Sequence, residues 1–115
     1  MTNITTGSFV HDEAIEWEDL GGGIKRKLLT YEDKVMMAKI LFEKGAVGEA
    51  HSHPHIQCSY VESGEFELTI DGDVRKLTAG DSFLVPTNVV HGAVALTDGV
   101  LIDVFTPMRE DFLAS

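Results

Sequence analysis

Cysteine is almost missing from this chain. Its one thiol, Cys58, has no second cysteine to meet, so no internal disulfide can brace the fold. Cys58 sits in an apolar run and reads as a small buried hydrophobe, which fits a reducing compartment. Basic residues are scarce as well: 9 Lys and Arg stand against 19 Asp and Glu, for a formal net charge of -10. Phosphate binding needs clustered lysine and arginine, so nucleic acid is a poor partner. A small acidic ligand is not excluded, because one arginine and a metal can make a positive pocket in an acidic protein. No apolar run approaches the roughly 20 residues of a membrane span. Residues Met1 to Glu18 lack the basic and apolar regions of a secretory leader. The expectation is a soluble, cytoplasmic protein with no membrane partner.

Long helical periodicity is also absent. What the chain has instead is short apolar runs, cut by Gly, Asp and Pro about every ten residues. The 115 residues, 43% of them apolar, suffice for one domain with a real core. Residues 1–16 are polar and mixed and read as a loose arm. Trp17 and the stretch Glu18 to Gly23 read as a turn with an aromatic anchor. Strands are expected over Ile24 to Thr30, with Ile24, Arg26 and Leu28 on one face, and over Val35 to Phe42. More are expected over Ile56 to Val61, Glu65 to Ile70, Val74 to Leu77, Ser82 to Val85, His91 to Leu96 and Val100 to Thr106. Asp71-Gly72 is a hairpin signal. Many short strands with regular turns mean an all-β sandwich or barrel, here a single domain over residues 1–115.

The chemistry concentrates in His51-Ser52-His53-Pro54-His55-Ile56-Gln57. In a strand, positions two apart share a face, so His51 and His53 would present two imidazoles to one cation, and Gln57 keeps their parity. An isolated pair of this kind is better explained by a polar loop with exposed histidines. This pair is not isolated: Gly45, His51, His53, Gln57 and Gly64 are followed by Gly80, Pro86, Asn88 and His91. Together they resemble the two motifs of the cupin superfamily, whose fold is a double-stranded β-helix, a small jelly-roll barrel.

The resemblance implies His51, His53 and His91 as imidazole ligands of one divalent ion. Gln57 stands where most cupins place a metal-binding Glu, Asn88 where they place Gly, and Ala95 where they place Asn. An amide brings no charge, so such an ion would keep its full positive charge, act as the stronger Lewis acid and favour an anionic ligand. Nickel, zinc, iron or manganese would each suit three imidazoles and an oxygen. His55 has no counterpart among cupin ligands and is given an outer or surface role.

Near the end of the chain, Asp103 interrupts the apolar strand Val100 to Phe105. It is either an acid at a wet strand end or a buried carboxyl suited to proton transfer. Phe105 reads as core, and Arg109, taken alone, as a surface arginine. A narrower resemblance bears on all three. The combination WEDL…GGGIKRK, HSHPHIQ, GDSFLVPTNVVHG and FTPMREDFL is similar to the small pectin-degradation cupins of the KdgF type. It implies linearisation of 4,5-unsaturated monouronates from pectin or alginate. It also implies Asp103 as proton shuttle, Arg109 as carboxylate clamp and Phe105 as a packing surface for the sugar. Alternatives within the superfamily are another metalloenzyme, such as a dioxygenase, or a sugar-binding sensor without catalysis. An exposed first strand would suit a homodimer.

Overall fold

The computed structural model describes residues 5–113. Residues 1–4 of the expected arm lie outside the described residues. Ten strands follow one another: β1 (Glu18–Gly21), β2 (Ile24–Glu32), β3 (Val35–Phe42), β4 (Val47–His51), β5 (Ile56–Ser63), β6 (Glu65–Ile70), β7 (Asp73–Thr78), β8 (Ser82–Val85), β9 (His91–Ala95) and β10 (Gly99–Thr106). A single helical turn, α1 (Glu110–Leu113), comes after them. The strands form a six-stranded sheet in the order β1-β2-β3-β10-β5-β8 and a four-stranded sheet in the order β4-β9-β6-β7. Every pairing is antiparallel. The chain thus forms the all-β jelly roll that the cupin resemblance implied.

Side-chain alternation explains the two-layer arrangement. Along β3, Met36, Ala38, Ile40 and Phe42 turn inward and are buried, while the residues between them are more exposed. Strand β10 buries Leu101, Asp103 and Phe105 on the same inner side, and β5 buries Gln57, Ser59 and Val61. Phe66 and Leu68 come in from the smaller sheet. The Phe42 and Phe66 rings meet edge to face, with centroids 5.2 Å apart, and join the two layers at the core. The inner faces also carry polar residues, Gln57, Ser59 and Asp103, beside the apolar ones.

Three local expectations change. Glu18 to Gly21 is an edge strand, hairpinned onto β2 through register pairs Glu18–Arg26 and Asp19–Lys25, rather than part of a turn. Strand β2 runs on past Thr30 through Tyr31 and Glu32, so the turn expected over Tyr31 to Asp33 shifts to Asp33 and Lys34. Cys58 is exposed, not buried. Gln57 and Ser59 take the inward positions of β5, which forces Cys58 onto the outer face. The Asp71-Gly72 hairpin forms as expected, with both residues at positive φ (50° and 79°), as a two-residue β-hairpin turn of this type requires.

Part of the N-terminal stretch is tied down. Asp12, in a short 3-10 turn, reaches Lys27 and Lys39, which pair across β2 and β3 on the outer face. Trp17 covers the same two ammonium groups.

Candidate functional site

The three motif histidines converge. His51 ends β4 and lies directly opposite His91, the first residue of β9. Their ring centroids are 4.4 Å apart, and His53 lies 5.5 Å from His51 and 4.7 Å from His91. One nitrogen from each ring falls within 4.8 Å of the others. His53 and His91 are buried, and His51 is exposed at the mouth. Strand parity is not what aligns His51 with His53. Strand β4 stops at His51, and His53 sits in the following loop, fastened by the hydrogen bond that the Asn88 N–H donates to the His53 carbonyl (2.8 Å). Asn88 occupies a left-handed conformation, φ 62°, which explains how an asparagine replaces the expected glycine there.

The hydrogen bonds select one tautomer for all three rings. His51 Nδ1 donates to the Glu49 carbonyl (2.8 Å), His53 Nδ1 to that of His55 (3.0 Å) and His91 Nδ1 to that of Val89 (2.9 Å). A carbonyl only accepts, so each Nδ1 carries a proton and, in the neutral ring, each Nε2 keeps a lone pair. His91 Nε2 is buried without a hydrogen-bond partner. His53 Nε2 lies 3.1 Å from Gln57 Oε1, and the Gln57 amide N–H donates away from it, to Ser59 Oγ (3.0 Å). Two lone pairs therefore face each other at hydrogen-bond distance with no proton between them. Protonating His53 would repair this, but burial, helped by the Arg109 charge, holds its pKa below the usual imidazole value. Burial lowers the pKa of His91 too. A cation beside the four atoms satisfies the orphaned nitrogen and the facing lone pairs at once. The donor set, three neutral imidazoles and one amide oxygen, fits a divalent transition metal.

The chain of hydrogen bonds continues from Gln57. Ser59 Oγ donates to Asp103 Oδ1 at 2.6 Å, so a single line of contacts links His53, Gln57, Ser59 and Asp103. Asp103 is in the middle of β10, registered against Ser59 on one side and Ala38 on the other, not at a wet strand end. Burial pushes its carboxyl up to about 6, although the Ser59 hydrogen bond and the Arg109 charge pull the other way. Phe105 is buried, with its ring 5.8 Å from that of His53. Arg109 is buried as well, in contrast to the surface position its sequence context alone suggests. Its guanidinium lies 5.0 Å from the centre of Phe105 and 4.2 Å from that of Phe112, and it is gripped bidentately by Asp111 (3.0 and 2.7 Å).

A cavity of about 190 Å³ inside the barrel mouth collects His51, Gln57, His91, Asp103, Phe105 and Arg109. His55 stays outside it and lines a neighbouring pocket with Arg109 and Asp111. The barrel cavity also contains residues to which the sequence assigned no part: Arg26 and Phe112. Ser59, one step behind the wall, is a third. The available signals were an arginine on the otherwise apolar face of β2, and a phenylalanine in a polar tail.

A cupin domain model matches residues 38–105. The pectin degradation protein KdgF of Dickeya dadantii (strain 3937) is 49% identical over 107 residues, covering 91% of this chain and 96% of that protein. Among solved structures, an RmlC-like cupin from Shewanella frigidimarina is 52% identical with a TM-score of 0.92, covering 94% of this chain and 97% of the other. KdgF from Halomonas sp. is 41% identical with a TM-score of 0.89, covering 93% and 99%.

Proposed function

The chain belongs to the cupin domain family, and from that premise we propose that it is a metal-dependent enzyme of pectin degradation. Its reaction is the opening of 4,5-unsaturated monouronates to linear 5-keto-4-deoxyuronates. The likeness to the KdgF proteins supports the substrate class. One observation carries the chemistry: a carboxyl that holds its proton to about pH 6, Asp103, is wired through Ser59 and Gln57 to a three-histidine cluster, with a guanidinium in the same cavity.

The reaction needs a proton moved, not an oxidant. The substrate is a cyclic hemiacetal whose ring oxygen is part of an enol ether. Asp103, as carboxylate, takes the C1 hydroxyl proton. The C1 carbonyl forms as the bond from C1 to the ring oxygen breaks, and the electron pair left on that oxygen makes a C5 enolate. Asp103, now an acid, returns the proton at C4. A group that changes protonation state near pH 6 suits both halves. Arg109 uses the amino group that Asp111 leaves free to hold the uronate carboxylate. Phe105 gives the sugar ring a flat surface. His51, His53, Gln57 and His91 would hold the cation, which supplies Lewis acidity toward the substrate's oxygens. Gln57 keeps that position neutral, so none of the positive charge is cancelled there. Nickel, zinc, iron and manganese all suit this donor set.

The same reading takes residues 1–115 as one cupin domain and the protein as a cytoplasmic homodimer that meets neither nucleic acid nor membrane. Strand β1, exposed at every residue on the sheet edge, supports pairing through that edge. No helix among the described residues is long and apolar enough to cross a membrane. The test is direct. Unsaturated monogalacturonate is mixed with the protein, and the enol-ether ultraviolet absorbance is followed with and without chelator. Accelerated loss that chelation suppresses is expected; decay at the spontaneous rate would overturn the reading.

A further inference from the structure

The barrel mouth contains a second guanidinium, and the reaction above leaves it without a task. Arg26 lies on the inner face of β2, directly opposite Ile40 of β3. It is mostly buried and lines the same cavity as Asp103, His51 and His91. An arginine placed inward among Ile24, Leu28 and Ile40 is costly unless its charge is used. Part of that charge is met by Glu18 of β1, which accepts from both Nε (3.1 Å) and Nη2 (2.9 Å) through a single oxygen. The Nη1 group has no hydrogen-bond partner among the described residues.

Phe112 fixes where that free group is held. The Arg26 guanidinium lies 4.0 Å from the centre of the Phe112 ring, and that of Arg109 lies 4.2 Å from it. The two cations thus share one aromatic ring delivered by α1, and each is restrained by its own exposed carboxylate. They are not equivalent. Arg109 is on the histidine side: its guanidinium lies 5.0 Å from the centre of the Phe105 ring, which meets the His53 ring at 5.8 Å. Arg26 is two strands away from Asp103 and one inward row along, a backbone separation of about 12 Å from strand spacing and rise.

We propose that Arg26 determines specificity: its Nη1 group binds the ring hydroxyl oxygens at the end of the sugar remote from the histidines. This rests on the uronate reading above. A guanidinium there meets neutral hydroxyls as a directional donor. It therefore discriminates between unsaturated monouronates of pectin and of alginate, which differ in the configuration of the C2 hydroxyl. Phe112 acts as a positioning residue for both arginines.

The experiment compares wild type with Arg26→Ala, and with Arg26→Gln as a milder change that keeps two N–H donors. Both unsaturated monouronates are turned over, and binding of the saturated sugars galacturonate and mannuronate is measured by calorimetry on the metal-loaded protein. The expected result for Arg26→Ala is a KM increase of about tenfold on the preferred uronate, the loss of one charge-assisted hydrogen bond. Its kcat should stay within about twofold, metal content should be unchanged and the preference between the two uronates should narrow. Binding of the preferred saturated sugar should weaken in parallel, and Arg26→Gln should fall between. An unchanged KM and preference in active Arg26 variants overturns the inference alone. Phe112→Leu takes the shared ring from both guanidinium groups, so it should raise KM on both uronates and narrow the preference between them; an unchanged preference would remove Phe112 from the positioning of Arg26. If wild type turns over neither uronate, the ring-opening reading falls, and the calorimetric comparison still decides whether Arg26 binds the sugar.

Discussion

Replacing Asp103 by asparagine should make the protein more stable at neutral pH while making it inactive. In the folded chain burial pushes the Asp103 carboxyl from 3.8 to about 6. At 1.36 kcal/mol per pKa unit, a displacement of that size is worth about 3 kcal/mol. The sign follows from proton uptake. Below the unfolded value both states are protonated and there is no penalty. Between 3.8 and about 6 the folded chain holds a proton that the unfolded chain has released, so stability falls as pH rises through that window and levels off above it. Asparagine is neutral throughout and lacks this slope, and its amide oxygen can still accept from Ser59 Oγ.

The quantity to measure is the stability of Asp103→Asn minus that of wild type, from urea unfolding with chelator present, at pH 4 and pH 7.5. Chelation removes any cation's own influence on the carboxyl, and the subtraction cancels the other acidic residues. The difference should grow by roughly 2–3 kcal/mol in favour of the variant between the two pH values. That is a change of about 1–2 M in the relative urea midpoints. The same variant should lose uronate turnover while retaining its metal. A stability difference that does not change with pH would refute the argument, because Asp103 would then ionise no differently folded than unfolded, and the basis for its proton-shuttle role would be gone.

Other perturbations test the surrounding parts. Ser59→Ala removes the 2.6 Å hydrogen bond that favours the Asp103 carboxylate; the acid limb of the pH–rate profile should move up by about one unit, and an unmoved limb would separate Ser59 from the reaction. Gln57→Glu adds a negative charge at the cation site, so divalent-metal titrations should give tighter binding while KM for the uronate rises about tenfold; weaker metal binding would argue against Gln57 as a ligand. Metal-loaded protein should melt higher than chelated protein by the equivalent of about 3 kcal/mol at a hundredfold excess of metal over Kd, and His91→Ala should abolish the difference. Gly64→Ala should cost roughly 2 kcal/mol or more in urea unfolding without changing metal affinity. At φ 82°, its new Cβ would press on the Asp98 carbonyl and approach Gly99 Cα to 2.7 Å.

Much of the scaffold is legible from period and punctuation alone. Strands β3, β6 and β8 run as their apolar residues and flanking turn residues indicate, because both depend only on near neighbours. Cys58 reads as buried from its apolar neighbours, although the parity that turns Gln57 toward the histidines puts Cys58 on the opposite face of β5. The other residues that misled are governed by distant contacts. Nothing beside Arg109 says that Phe105 and Phe112 will enclose it. The histidines show a different failure: they converge as their spacing suggests, but a loop bonded to Asn88 brings His53 in, where a continuous strand was expected. Arg26 was on the right face in the alternation of β2, yet its role depends on a ring more than eighty residues later in the chain.

The net charge of -10 argues at first sight against an anionic substrate. The cavity resolves this by separating the charges according to burial. Arg26 and Arg109 keep their guanidinium groups mostly buried, with 12% and 10% of the side chain exposed, whereas their partners Glu18 and Asp111 are 52% and 58% exposed. Water screens the two exposed carboxylates far more than the two enclosed cations. The carboxyl that does face the cavity, Asp103, is kept partly protonated near pH 6 by its own burial. The field a bound anion meets is therefore set by two arginines and by four neutral donor atoms that call for a cation, while the acidic majority lies on the outside. A single charge count for the chain describes its solubility and its distant partners; it does not describe the few ångströms of the cavity in which the proposed uronate would be held.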